Sequence, residues 1–535
     1  MLYKKICKEI EAHILSDSDK ILTSKALNKF ATNHLFCPLM ANYPIIFCHN
    51  YIFFIHLWQI ISIMKDLIIG RKKELEALNR LYNSSQSEFI AVYGRRRVGK
   101  TFLIRQFFKN KFTFQLSGLA NAKTKEQLVN FNLTIKRESK KNLPIAKTWL
   151  EAFDQLISLI EQSNDERKVI FLDELPWLDT PRSQFIQALE HFWNGWASAR
   201  NDIILITCGS ATSWMIDKII NNHGGLHNRT TYRMRLEPFT LNETQEFFLK
   251  RGMEYTQYQI AECYMAMGGI PYYLNLMQKE FSVTQNIDLL FFDENALLKD
   301  EFHNLYAALF KNSEDYIKVV ESLCKKNKGL TRNEIISITK LTTNGGLSTI
   351  LKNLENCGFI RTYTSFGKKE RDKLYQLTDF YTLFYFKFIK NNKYNDDNFW
   401  VNTIGTPLHN SWAGYSFEML CLNHIKQIKA ALGISGVQTA VSSWHDSTNE
   451  GGAQIDLIID RKDQTINLCE MKFSTDEYEI TKSYDNQLRQ KRSVFISKTK
   501  TRKATHLTMV TTYGLKQNMY SNSIQSEVVL EDLFR

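Results

Sequence analysis

The amino-acid sequence predicts an α/β fold: a parallel sheet covered by helices, followed by smaller helical and mixed α/β parts. Three observations carry this. The apolar run Phe89–Tyr93 leads into a glycine loop and then into apolar residues at helical spacing. A second run, Val169–Leu172, ends on adjacent carboxylates, Asp173 and Glu174. A third, Ile203–Thr207, ends on small polar residues. Continuous apolar runs alternating with helical stretches suit strands buried on both faces of a parallel sheet.

Composition fits this class. The chain has 535 residues, room for three or four domains at roughly 150 residues each. Hydrophobic residues make up 44% and charged residues 23%, as in folded globular chains. Eight prolines and 23 glycines exclude collagen-like and Pro/Gly-rich disordered classes. Lys+Arg number 68 against 56 Asp+Glu, a net charge of +12 that favours an anionic partner: nucleotide, nucleic acid or acidic lipid. The nine cysteines form no C-x-x-C pair, so neither a zinc knuckle nor a disulfide framework is expected, and a reducing compartment is.

Residues 1–63 differ in pattern from the rest of the chain. The run Ile45–Met64 approaches the length of a membrane span. His49, Asn50, His56, Gln59 and Ser62 interrupt it, each costly in hydrocarbon. A membrane helix is therefore disfavoured. The preferred expectation is a non-native N-terminal extension, with Met64 as the natural start.

Gly94, Arg95, Arg96, Arg97, Val98, Gly99, Lys100 and Thr101 spell G-x-x-x-x-G-K-T between strand and helix. Here the loop amides and the helix N-terminus face phosphate oxygens, Lys100 brings a charge to the β- and γ-phosphates, and the Thr101 hydroxyl joins a Mg²⁺ shell. This loop is expected to bind ATP. Asp173 would orient the magnesium, and Glu174 would polarise the attacking water as general base. Ser210, after the third run, is expected either to sense the γ-phosphate or to cap a helix. Arg229, in a loop, is an arginine-finger candidate, with a surface arginine as the alternative. A further strand candidate, "FTFQLSG" from Phe112, lies in sequence between the loop and the acidic run. With Glu174 it describes the additional-strand, catalytic-glutamate class of P-loop ATPases.

The remaining chain divides by pattern. Residues 64–240 read as the ATPase core and 241–312 as a helical lid, with Pro271 where a first-turn proline is tolerated. Residues 313–390 read as a winged helix. Thr331 and Glu334 form a capping box there, and Ser348, Thr349 and Lys352 would face a DNA groove. After the polar stretch Asn391–Asn398, residues 391–535 carry a helix with Glu418 and two strands with Asp456, Glu470 and Lys472. Glu470 and Lys472, two apart, share a face. Two carboxylates and a lysine at one sheet edge suit a Mg²⁺-dependent nuclease, Glu418, Asp456 and Glu470 holding the metal. Basic residues from Arg489 to Lys503 would track a phosphate backbone.

Together these residues resemble the prokaryotic "archaeal ATPase" family, AAA-like P-loop ATPases of the STAND class. "YGRRRVGKT" and "FLDE" are similar to its nucleotide motifs, and "CGSATSWM", "GGLHNR" and "GGIPYYL" to its sensor, arginine and lid segments. "YQLTDFYTLFYFKFI" from Tyr375 resembles the entry to the C-terminal domain usually fused to it, itself similar to PD-(D/E)XK nucleases. Ile455 stands where that superfamily usually has a proline. The resemblance implies ATP and Mg²⁺ as cofactors, switch-like hydrolysis and a prokaryotic cytoplasm. Two functions stay open: an ATPase gating a nucleic-acid-processing domain, or an ATP-switched DNA-binding regulator that does not cut. DNA is expected in preference to RNA, and a homo-oligomer is left open.

Overall fold

The structure is a computed structural model that describes residues 68–222, 224–341, 345–368, 372–390, 392, 398–446 and 453–535. The extension at residues 1–63 and the apolar run Ile45–Met64 lie outside the described residues. Among the described residues no helix is long and apolar enough to cross a membrane.

Five strands build the first sheet: β1 (Glu88–Tyr93), β2 (Phe114–Ser117), β3 (Lys168–Asp173), β4 (Ile203–Gly209) and β5 (Tyr232–Arg235). All neighbours are parallel and the order is β2-β3-β4-β1-β5. Strand periodicity explains the burial of both faces. Ile90, Val92, Phe171, Ile204 and Ile206 enter one apolar layer, while Phe89, Ala91, Ile170, Leu172 and Leu205 enter a second on the opposite face. The strand that separates β1 from β3 is β4, not the "FTFQLSG" segment. That segment forms β2 and takes the edge beyond β3. A four-residue strand ending on an exposed serine suits an edge better than a centre.

Helices come next in the chain. Thr240, Thr256 and Ser282 each open one with a reciprocal capping box. Pro271 sits in the first turn of Pro271–Asn275. Beyond them lie helices Ser313–Cys324, Arg332–Thr339 and Gly345–Asn356 with an antiparallel sheet of β6 (Leu330–Thr331), β7 (Ile360–Tyr363) and β8 (Leu374–Leu377), ordered β6-β8-β7. The Thr331/Glu334 box is formed. Helix Gly345–Asn356 leans on the first sheet's helices. Lys352 pairs with Asp217 at 2.9 Å and Asn356 donates to the Ser213 hydroxyl. Ser348 accepts from Arg332, and Thr349 bonds the Gly345 carbonyl. Ser348, Thr349 and Lys352 are thus exposed, each with a partner within the chain.

The last sheet runs β13-β12-β11-β10-β9, from β9 (Thr439–Asp446), β10 (Ala453–Arg461), β11 (Thr465–Lys472), β12 (Ala504–Thr511) and β13 (Ser526–Val529). β9, β10 and β11 pair antiparallel; β11, β12 and β13 pair parallel. Between Ile455 and Ile458 the β9–β10 register shifts. Those two residues, three apart, therefore share one apolar layer, while Leu457 and Ile459 enter another. Asp456 sits in this irregularity, the kind of break that re-aims a side chain.

Candidate functional site

Strand β1 delivers the chain to Gly94, whose φ of 138° only glycine holds readily; a Cβ there would lie 2.3 Å from the Leu236 carbonyl oxygen. Gly99, at φ 88°, starts the helix Lys100–Phe107. Between them the loop closes on itself. The buried Lys100 ammonium donates to the carbonyls of Gly94 (2.9 Å) and Arg95 (2.8 Å). Burial draws this ammonium below its ordinary value, against the pull of nearby Glu174 and Asp173.

The ends of β3 and β4 complete the site. The Thr101 hydroxyl donates to Asp173 Oδ2 at 2.9 Å. Asp173 is 4% exposed, and its other oxygen accepts from the Glu174 amide. Glu174 stands in the left-handed region at φ 46°. That conformation is uncommon outside glycine and clusters at functional sites. Its carboxylate accepts from the Ser210 hydroxyl at 3.1 and 2.9 Å. Thr101, Asp173, Glu174 and Ser210 therefore meet beside Lys100. Ser210 caps no helix through its side chain; its hydroxyl is bonded to Glu174. A hydroxyl beside a carboxylate is a hard oxygen pair that, with phosphate oxygens and water, fits the octahedral demand of Mg²⁺. Loop amides, a helix N-terminus and a buried ammonium fit a triphosphate.

The side chains of two loop arginines, Arg95 and Arg97, turn away to partners elsewhere in the chain. Arg95 is buried and paired with Asp379, 284 residues away. Burial would lower its guanidinium's pKa; Asp379 more than offsets this. Arg97 lies 2.6 Å from Glu301 and 4.0 Å over the Tyr272 ring. Only the backbones of Arg95 and Arg97 remain for the nucleotide. The Val98 side chain is buried, and its carbonyl accepts from Arg71 at 3.2 Å. Arg96 is half-buried. Arg229 is exposed on a turn, a placement open to both the finger and the surface-arginine readings, and its amide donates to the Leu226 carbonyl.

A second group lies on the last sheet. Glu418, from helix Pro407–Asn423, and Asp456 line a cleft with Lys328, Arg361, Gln376 and His445. Glu418 is pushed up to about 8, first by burial and then by Asp456 beside it. Glu470 is 5% exposed and raised by burial, a shift that Lys491 opposes. Lys491 reaches both Glu470 oxygens at 2.8 Å. Lys472 lies 5.1 Å over the Tyr484 ring. Glu418, Asp456, Glu470 and Lys472 are near one another. Yet among the described residues no group of three His, Cys, Asp or Glu side chains is placed to hold a metal. The expected three-carboxylate metal centre is thus not assembled among the described residues, and Glu470 is instead held by Lys491. Much of the basic run is likewise engaged within the chain: Arg489 with Asp485, Lys503 with Asp460 and Arg492 with Thr505.

Sequence reasoning misses Glu301 and Arg71, and it misses the roles of Asp379, inside the motif from Tyr375, and of Lys491, inside the basic run. Each acts through a partner distant in sequence or on another element, which local pattern does not reveal.

Residues 68–277 match the model of a family described as an ATPase domain predominantly from Archaea. An uncharacterized protein of Methanocaldococcus jannaschii is 24% identical over 397 residues, 73% of this chain and 84% of the relative. An uncharacterized ATP-binding protein of the same organism is 51% identical over 45 residues, 8% of this chain and 76% of that protein. Among solved structures, a Walker-type ATPase of Pyrococcus abyssi matches at 17% identity and a TM-score of 0.43, covering 60% of this chain and 96% of that one. The ORC2 protein of Aeropyrum pernix, solved as ADPNP and ADP complexes, matches at 16% identity and a TM-score of 0.30, covering 58% and 90%. Through residues 68–277 the chain belongs to the family of ATPase domains predominantly from Archaea.

Proposed function

We propose that this ATPase domain hydrolyses ATP with Mg²⁺, using Glu174 as general base, and that hydrolysis works as a switch on the C-terminal half. The meeting of Thr101, Asp173, Glu174 and Ser210 beside Lys100 carries the reading. Gly94–Thr101 would wrap the phosphates, Lys100 would turn from its own loop carbonyls toward the γ-phosphate, and Thr101 and Asp173 would hold the metal. Mg²⁺ supplies neutralisation of phosphate charge. Ser210 orients the Glu174 carboxylate, which takes a proton from the attacking water while the bond to the γ-phosphorus forms and ADP leaves. Release of phosphate from ATP by purified protein, dependent on Mg²⁺ and abolished in Lys100→Ala, tests this. Metal-independent or variant-insensitive release would refute it.

Within this proposal, residues 64–240 are the core, 241–312 the lid, 313–390 a winged helix and 391–535 a PD-(D/E)XK-like domain, in a STAND-class chain. The crowding of Glu418, Asp456, Glu470 and Lys472 supports a nucleic-acid-processing site. The Lys491–Glu470 pair favours the second reading, a DNA-binding regulator that does not cut. Plasmid nicking with Mg²⁺ separates the two. Cleavage lost in Asp456→Ala and Lys472→Ala would establish cutting, while equal traces in all three proteins would mark a contaminant.

A further inference from the structure

The phosphate loop is held from outside by two carboxylates that the motif does not contain. Arg95 and Asp379 are both almost fully enclosed, with side-chain exposures of 6% and 2%. Two other guanidinium nitrogens of Arg95, Nε and Nη2, are buried with no hydrogen-bond partner among the described residues. Its charge is compensated by Asp379 and by the Phe359 ring, 4.8 Å below. Asp379 does two things at once: one oxygen takes Arg95, the other caps the helix Phe380–Phe384 by accepting from the Thr382 amide (2.9 Å) and hydroxyl (2.6 Å).

The second clamp acts on strained backbone. Arg97 occupies the left-handed region at φ 73°. A residue with a Cβ stays there only when its surroundings over-determine it. Glu301 takes the Arg97 guanidinium at 2.6 Å and is itself held by the Tyr273 hydroxyl at 3.0 Å. Tyr272 lies under the guanidinium and its amide donates to the Arg97 carbonyl at 3.4 Å. Arg95 and Arg97 flank the turn whose carbonyls at Gly94 and Arg95 seat Lys100.

We propose that Asp379 and Glu301 are positioning residues of the ATP site, fixing the phosphate loop from the far half of the chain so that nucleotide binding and the Phe380–Phe384 helix are thermodynamically coupled. The proposal rests on the reading of Gly94–Thr101 as the nucleotide site and goes beyond it, because neither carboxylate reaches the phosphates. Coupling between sites is reciprocal: if Asp379 aids ATP binding, ATP must stabilise the segment Asp379 caps.

The test uses the full chain. Asp379→Asn keeps an oxygen for the Thr382 cap and removes the charge. Its KM for ATP is expected to rise at least tenfold while kcat stays within threefold; Asp379→Glu recovers most of the loss, and Glu301→Gln shows a smaller rise in KM. A merely structural pair would lower the melting temperature and leave KM of the folded enzyme unchanged, which would overturn the proposal. Hydrogen exchange of the wild type covers the case in which Asp379→Asn does not fold. Saturating ADP is expected to slow the Phe380–Phe384 amides at least fivefold, and unchanged exchange would overturn it. Failure of the wild type to bind ATP at all would instead refute the nucleotide-site reading.

Discussion

Replacing Glu174 by Gln changes one oxygen to an amide nitrogen and little else. The side chain keeps its length, and its remaining oxygen still accepts the Ser210 hydroxyl now found at 2.9 Å. The left-handed backbone at φ 46° is held by the strand end and the adjoining helix, so the position persists. Asp173, Thr101 and Lys100 are untouched, so ATP affinity is expected to stay within about threefold of wild type. What is lost is the ability to take a proton. General-base help is worth roughly a hundredfold to ten-thousandfold, or about 3–5 kcal/mol of barrier. Phosphate release under saturating Mg²⁺-ATP should fall by at least a hundredfold, with ATP retained on the protein after gel filtration. Turnover within threefold of wild type would remove Glu174 from the chemistry and leave Ser210 holding a bystander.

The same contacts set further outcomes. Ser210→Ala frees the Glu174 carboxylate without deleting it, so kcat should drop by about tenfold at unchanged KM, measured in the same assay. Asp173→Asn weakens the oxygen pair with Thr101, so the Mg²⁺ concentration for half-maximal rate should rise about tenfold in a metal titration. The raised value of Glu418, about 8 against an ordinary 4.5, sets a pH dependence. The folded chain keeps a proton that the unfolded chain releases, so this contribution is full below about 4.5 and is lost as pH rises through about 8. Glu418→Gln should therefore raise the melting temperature at pH 8.5 by about 2 °C or more and leave it nearly unchanged at pH 4.5, by differential scanning fluorimetry. Leu172→Ala empties a fully buried position on β3, an inner strand of the first sheet. It should cost about 3 kcal/mol of stability in urea unfolding.

How much of the molecule is legible in the sequence depends on the range of the interactions. Gly94, Gly99, Lys100 and Thr101 act within one turn of chain, and Asp173 and Glu174 end a strand whose apolar run is continuous. Local pattern is enough for both. The neighbour of β1 is not legible, because sequence order does not give sheet order. "FTFQLSG" comes next in the chain, but β4 has seven buried positions and takes the centre, while β2 has two. The motif's spacing says nothing about where the side chains of Arg95 and Arg97 go, because their partners lie 284 and 204 residues away. Glu470 and Lys472 fall on one face by the period-two rule, which is local. That Lys491, on the next helix, occupies Glu470 depends on packing no motif records. The register break at Asp456 is equally invisible, because a bulge leaves the residue types unchanged.

The central claim is that Gly94–Thr101 seats a triphosphate against a buried lysine. Titration calorimetry of Mg²⁺-ATP into the folded wild type and into folded Lys100→Ala tests it most directly. Saturable binding at one site per chain is predicted for the wild type, with affinity at least tenfold weaker in the variant. Equal affinities, or no heat from the wild type, would contradict it.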